Sequence, residues 1–324
     1  MRKALIAIIV VLSLMALPCG SAMAKETLKA AGGQIGGGWY TIVSGLAEII
    51  NSELKDKVSL VVVPGSGVSN VATCSLGDTP ITMSFPPFIM AARQGVDPYD
   101  TKYPNTMVIA TNFGSSAQHL VTTRDDLVTY ADIATKKLPI KIALNKPGAT
   151  DEFIWRKVMD FYGLDYNKIK ANGGKIFFVG HGEAVQLFKD GHADTHFSYI
   201  SVPAAGITEM AISRHLVYVE LPKDARDALQ KTWSLVPYTI PAGTYKGQTK
   251  ALDTLAMSNT LMVNAKVSDD LVYAITKTLC EHASDVQKVH KTAVDWTPEV
   301  AAAGVEALLH PGARKYYQEK GYLK

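Results

Sequence analysis

Gly36-Gly37-Gly38-Trp39 follows an apolar run and precedes a helical pattern, leaving free backbone N–H groups at the positive end of a helix dipole. That arrangement attracts an anion. Gly65-Ser66-Gly67, Asn145-Lys146-Pro147-Gly148-Ala149-Thr150 and Gly180-His181-Gly182 are three more turns of this kind. One such turn is as well explained by the need for a tight connection, whereas four at repeated offsets describe a binding cleft. Helix N-termini at Gly38, Gly67, Thr150 and Gly182 would aim donors into one slot, and Lys146 is the fixed cation of the glycine loops. The expected ligand is a small organic anion: a dicarboxylate, an oxo acid or an amino acid. The residues expected to meet it are Gly37, Gly38, Trp39, Tyr40, Ser66, Gly67, Asn70, Ser84, Phe85, Lys146, Ala149, Thr150, Asp151, His181 and Tyr199. Among these, Trp39, Tyr40, Phe85 and Tyr199 would wall its apolar part.

Other chemistry is poorly supported. A dinucleotide loop needs a third glycine where Thr41 stands, and no phosphate-loop Lys-Ser/Thr pair follows. No cofactor is expected. His192 and His196 are four apart, which suits a metal on a helix, but the glycine before them and the pattern around Phe197 put them on a turn and a strand. Ser66 lacks the G-x-S-x-G spacing of a nucleophile elbow. Asp151 and Glu152 fall in a first helical turn, where the dipole favours acids whether or not they react. No nucleophile, base and orienting group assemble, so a non-enzyme is expected, with an exported enzyme on the same scaffold or a ligand-sensing subunit as the alternatives.

The elements that carry these loops come in two similar sets. Residues 27–85 resemble residues 140–199: Gly182 follows Gly67 by 115 positions, Gly191 follows Gly77 by 114 and Tyr199 follows Phe85 by 114. A repeated unit of this kind predicts two α/β lobes facing each other across a slot. In the first, strands are expected at 27–31, 58–63, 81–84 and 106–111, with a helix at 39–54. In the second, strands are expected at 118–123, 140–144, 175–179, 193–199 and 216–221, with helices at 150–162 and 182–189. The chain then turns through 236–243 into one apolar strand at 255–263 and closes with helices rich in alanine and leucine. The expected division is 25–117 for lobe I, 118–240 for lobe II, and 241–324 for a return crossing with C-terminal helices on lobe I. Crossings near 114–123 and 236–256 would make a hinge.

Arg2 and Lys3 precede an apolar run over 4–17, and Ala22-Met23-Ala24 supplies a cleavage site, so residues 1–24 read as a removed signal peptide and the mature protein as exported to the periplasm. Without Arg2 and Lys3 the chain holds 31 basic against 30 acidic residues, a balance that disfavours a nucleic-acid partner. A monomer is expected. Cys74 and Cys280 sit on apolar helical faces, where buried free thiols are expected rather than a bridge.

Four segments together carry a family resemblance: Gly33-Gln34-Ile35-Gly36-Gly37-Gly38-Trp39-Tyr40, Gly65-Ser66-Gly67-Val68-Ser69-Asn70, Ile240-Pro241-Ala242-Gly243-Thr244-Tyr245 with Gly247-Gln248, and His310-Pro311-Gly312-Ala313 with Tyr316-Tyr317. The chain resembles the TAXI receptors, the solute-binding proteins of TRAP transporters, over essentially all of its mature length. The resemblance implies a two-lobed type II periplasmic binding protein fold and a TRAP-type membrane permease as partner, driven by an ion gradient. Where many members carry Gln-Ser-Asp after the third strand, this chain has Ser84-Phe85-Pro86-Pro87-Phe88, a more apolar floor.

Overall fold

Short β-branched runs bounded by glycine turns build two sheets in the computed structural model, which describes residues 25–233 and 235–323. The signal peptide expected over 1–24 lies outside the described residues. In chain order the first lobe takes β1 (Glu26–Ala31), α1 (Gly38–Glu53), β2 (Val58–Val63), α2 (Gly67–Leu76), β3 (Ile81–Ser84), α3 (Pro86–Gln94) and β4 (Thr106–Ala110). The second takes β5 (Ser115–Thr122), α4 (Tyr130–Thr135), β6 (Lys141–Leu144), α5 (Thr150–Phe161), α6 (Tyr166–Ala171), β7 (Lys175–Phe178), α7 (His181–Lys189) and β8 (Thr195–Ser201). It continues through α8 (Ala205–Ser213), β9 (Val217–Tyr218), α9 (Lys223–Trp233), β10 (Val236–Ile240) and β11 (Leu252–Ser258). The chain then returns as β12 (Thr260–Asn264), α10 (Asp269–Glu281), α11 (Ala283–Val286) and α12 (Pro311–Glu319).

The two sheets repeat one topology, which is the physical content of the sequence repeat. The first runs β2-β1-β3-β12-β4 and the second β7-β6-β8-β5-β11-β10, with β9 paired to β5. In both, a central strand is flanked by two parallel partners, and the fourth strand is antiparallel and arrives from the other lobe. This is the two-lobed α/β fold of periplasmic binding proteins. α10 packs on α1 and α12, so the C-terminal helices rest on the first lobe.

The lobe boundaries differ from those expected. β5 and β11 both belong to the second sheet, so the crossings fall at residues 111–114 and at Asn259, at the edge of the expected 114–123 and just past the expected 236–256, and the second lobe runs from β5 to β11 rather than over 118–240. The strand expected over 255–263 is two strands in different sheets, because Asn259 interrupts the apolar run and turns it from one sheet into the other. Residues 236–240, read as a turn, form an edge strand, a position where Pro237 costs no ladder bond within the sheet.

At the hinge the two crossings bind each other: Phe113 N donates to Asn259 O at 3.2 Å and Asn259 N to Gly114 O at 2.9 Å. Gly114 has φ 78°, and a β-carbon there would strike the Thr292 carbonyl, so both its conformation and its neighbour require glycine. Trp296 stacks on Phe113 at 5.2 Å and buttresses the crossing from the C-terminal segment. One apolar cluster runs from lobe to lobe through the hinge, from Leu28 and Ile42 to Trp155 and Phe197. Cys74 and Cys280 are free and buried, and burial pushes each thiol up to about 12. None of the helices among the described residues is long and apolar enough to cross a membrane.

Candidate functional site

The lobes stand closed on each other. Gln34 reaches out of the first glycine loop, its Nε2 donating to Asn145 Oδ1 at 2.5 Å while its Oε1 accepts from His181 N at 3.4 Å. Ser66 Oγ donates to Gly148 O at 3.4 Å, Lys157 pairs with Asp97 at 2.6 Å, and the Phe88 and Phe153 rings meet edge to face at 5.5 Å. Gly67 packs so tightly against Thr150 that a β-carbon at Gly67 would overlap Thr150 Oγ1.

Between the lobes lies an inner chamber of about 50 Å³, lined by the first-turn residues Gly38, Gly67, Thr150, Asp151 and His181 of four helices, with Trp39, Phe85, Ser116, Asn145, Tyr199 and Ser201 around them. The four helices α1, α2, α5 and α7 begin at this chamber, and the residue before each makes no side-chain cap bond, although Gln34 Oε1 takes the first N–H of α7 at His181. Thr150 Oγ1, Tyr199 Oη and Ser201 Oγ are buried and have no hydrogen-bond partner among the described residues. A hydroxyl left dry costs about 1–3 kcal/mol, so three around one space describe a site built for a polar occupant. Burial holds the Tyr199 phenol well above its ordinary range, so it stays a neutral donor.

An aromatic wall faces these donors. Trp39 and Phe85 rings lie 4.6 Å apart and Phe85 and Tyr199 rings 5.7 Å apart. Asp151 is fixed at the start of α5: Oδ1 accepts from Tyr199 N and Oδ2 from Asn145 Nδ2 at 3.2 Å, which ties the helix to β8 and leaves room for a further donor on the carboxylate.

Of the residues expected at the ligand, Gly37, Gly38, Trp39, Ser66, Gly67, Phe85, Thr150, Asp151, His181 and Tyr199 line this chamber. Five do not. Asn70 is spent on the scaffold, its Nδ2 donating to Gly32 O and Met83 O, both at 2.8 Å, and its Oδ1 accepting from Ser66 N. Ser84 Oγ donates to Gly67 O at 2.7 Å, bracing the glycine loop from beneath. Tyr40 and Ala149 lie outside the lining, as does Lys146, which is exposed. No lysine or arginine lines the inner chamber among the described residues, and Asp151 brings a carboxylate to it, so the groups there that favour an anion are the helix ends and the hydroxyls. Gln34, Ser116, Asn145, Ile200 and Ser201 line it without having been expected. Gln34 and Asn145 were signalled only by adjoining the glycine turns.

A second, outer chamber of about 400 Å³ adjoins the first and shares Gly37, Gly38, His181, Ile200 and Ser201 with it. His196 and Ser198 of β8, Ala204 at the start of α8, and His290 and Lys291 of the C-terminal segment complete its wall. Burial pushes His196 down to about 4, helped by nearby His181. Among the described residues no group of three His, Cys, Asp or Glu side chains is placed to hold a metal.

The sequence model of the NMT1-like family matches residues 30–321. Among solved structures, PhnD1 of Prochlorococcus marinus in complex with methylphosphonate is 11% identical, with a TM-score of 0.52 over 92% of this chain and 99% of that chain. The amino acid ABC transporter substrate-binding protein AbpA of Streptococcus pneumoniae, bound to L-arginine, is 16% identical with a TM-score of 0.46 over 82% and 94% of the two chains. A TRAP periplasmic solute-binding protein of Roseobacter denitrificans with bound L-galactonate is 12% identical, with a TM-score of 0.44 over 93% and 94%.

Proposed function

The chain belongs to the NMT1-like family, and from that premise we propose that it is an extracytoplasmic solute receptor that captures a small organic anion between its lobes. The observation that carries this reading is the set of unpartnered hydroxyls, Thr150, Tyr199 and Ser201, on residues that line one interlobe chamber together with the starts of four helices, of which α1, α2 and α5 carry no side-chain cap. A carboxylate there takes hydrogen bonds from helix N–H groups and hydroxyls, and the Trp39–Phe85–Tyr199 wall covers its apolar part. The same observation opposes bond-making chemistry, since none of the three hydroxyls has a base within hydrogen-bond reach among the described residues.

The four segments that resemble the TAXI receptors support a finer reading: a periplasmic, monomeric receptor that delivers its solute to the membrane subunits of a TRAP-type transporter. A ligand touching both lobes binds the closed form better than the open one and so shifts the population toward closure, the signal a membrane partner needs. Native mass spectrometry of freshly purified protein is expected to show a co-purified small acid, and thermal-shift screening is expected to show stabilisation by carboxylates and none by neutral sugars. The opposite ranking overturns the assignment. A neighbouring gene pair encoding one large and one small membrane protein is the expected genomic context of the TRAP reading, and its absence counts against that partner.

A further inference from the structure

The outer chamber has about eight times the room of the inner one, 400 against 50 Å³, and it is lined by polar groups of known hydrogen-bonding sense. His196 Nδ1 lies 3.0 Å from the carbonyl of Ala143, which can only accept, so Nδ1 carries the proton. In the neutral ring, kept neutral by burial, Nε2 is then an acceptor. His290 has the opposite sense: Thr292 N donates to its Nδ1 at 3.2 Å, so Nε2 carries the proton and donates. Gly38 packs beneath His290 Nε2 and Ser201 Oγ, each 3.2 Å from where its β-carbon would stand, so these two groups converge where the chambers join. Ser198 and Ser201 are 1% and 2% exposed, and their buried Oγ atoms have no partner among the described residues.

The frame of this chamber is held by a chain of hydrogen bonds. Ala204 N donates to Tyr245 Oη at 2.9 Å, Tyr245 Oη lies 2.9 Å from His119 Nε2, and His119 Nδ1 lies 2.9 Å from the Ala117 carbonyl. His119 therefore carries its proton on Nδ1, Tyr245 donates to Nε2, and the start of α8 is fixed against β5. The charged side chains of the wall, Glu209 and Lys291, are exposed at the rim and opposite in sign, so the chamber offers no net charge to a second carboxylate.

We propose that the solute is a hydroxylated carboxylic acid whose carboxylate occupies the inner chamber and whose uncharged, hydroxyl-bearing chain extends into the outer one, where His196, Ser198, Ser201 and His290 read it. This rests on the reading of the cleft as an acid receptor and refines it. A plain hydrocarbon chain would leave these four groups dry, whereas a chain of hydroxyls, each both donor and acceptor, can satisfy an acceptor at His196 and a donor at His290 at once.

Calorimetry on the mature chain with three probes tests it: glycolate, which fits the inner chamber alone, and hexanoate and gluconate, six-carbon acids that differ in their hydroxyls. Gluconate is expected to bind at least roughly tenfold more tightly than either, and Ser198→Ala to lower the gluconate-to-glycolate affinity ratio by about fivefold. His196→Phe is expected to lower that ratio by about tenfold or more and to improve hexanoate binding. Ser198→Ala removes an unpartnered hydroxyl and so keeps the test open should His196→Phe fail to fold. Gluconate binding no tighter than glycolate, or a ratio unmoved by Ser198→Ala, overturns the proposal while leaving the acid-receptor reading intact. Failure of all three acids to bind overturns both.

Discussion

Trp39 and Asn259 are joined by a 2.7 Å hydrogen bond from the indole Nε1 to the side-chain carbonyl, linking the first turn of α1 to the point where the chain returns between lobes. Ser116 Oγ donates to the same oxygen at 2.8 Å, and Asn259 Nδ2 donates to Phe113 O at 3.1 Å. One buried amide thus gathers a cleft tryptophan, a strand of the second lobe and the other crossing of the hinge. Asn259→Leu strands an indole N–H, a hydroxyl and a carbonyl together. It is expected to destabilise the protein by about 2–4 kcal/mol, read from urea unfolding. A loss below about 1 kcal/mol would show that the amide does not organise the hinge.

Lys146 and Thr150 bracket one loop and should respond in opposite ways. Lys146 is exposed and lines neither chamber, so Lys146→Ala is expected to leave both stability and carboxylate affinity within about 0.5 kcal/mol of the parent. Thr150→Val removes a buried, unpartnered hydroxyl at nearly constant shape. It is expected to leave stability unchanged or raised by up to about 1 kcal/mol while weakening carboxylate binding about tenfold. Calorimetry and thermal unfolding on the two variants separate the outcomes, and a large affinity loss in Lys146→Ala would restore the lysine to the site.

The contrast between these residues shows what the sequence could reveal. The glycine turns were legible because a close strand-to-helix turn leaves a compositional mark, and their 114–115-residue offsets fall at equivalent places of two sheets with one strand order. Side-chain direction left no such mark. Asn70 and Ser84 have the residue types of ligand contacts, yet their polar groups are consumed by nearby backbone within their own lobe. Ser116 and Ser201 reach the chamber because β5 and β8 pair antiparallel with these two residues opposite each other, a long-range register that local pattern does not encode. Asn259 sits inside an apolar run that reads as one strand, because nothing local distinguishes a polar residue within a strand from one that turns the chain between sheets.

Buried imidazoles set the response to acid. His119 and His196 are fully enclosed, and burial pushes each down to about 4, against an ordinary value near 6.5. Because the folded protein holds them neutral, the unfolded chain binds more protons between these values. Their contribution is therefore whole above about pH 6.5 and is lost as pH falls toward 4, with a slope of up to about 1.4 kcal/mol per pH unit for each ring. Urea unfolding across this range is expected to show stability falling with acid, and His119→Gln to flatten the slope. A profile level from pH 7 to about 4.5 would mean that the rings are not neutral in the folded state.

Gly67 offers the sharpest test of closure, because its missing β-carbon is what lets the lobes meet at Thr150. In Gly67→Ala the added methyl overlaps Thr150 Oγ1, while its next contacts, Thr150 Cβ at 3.4 Å and Trp39 Cη2 at 3.5 Å, are ordinary van der Waals distances. The obstruction is thus a single oxygen, and it exists only when the lobes are together. Gly67→Ala is expected to fold with stability within about 1 kcal/mol of the parent, since alanine suits a first helical turn, but to bind carboxylates about thirtyfold more weakly. Small-angle scattering should show a radius of gyration that shrinks on ligand saturation in the parent and stays large in the variant. Gly67→Ala combined with Thr150→Ala removes the obstructing oxygen and should recover the scattering change at saturating ligand, even though affinity remains reduced by the missing hydroxyl. If the single variant contracts on ligand addition as the parent does, the lobes do not need this contact to close, and capture by hinged closure at the Gly67–Thr150 seam is wrong.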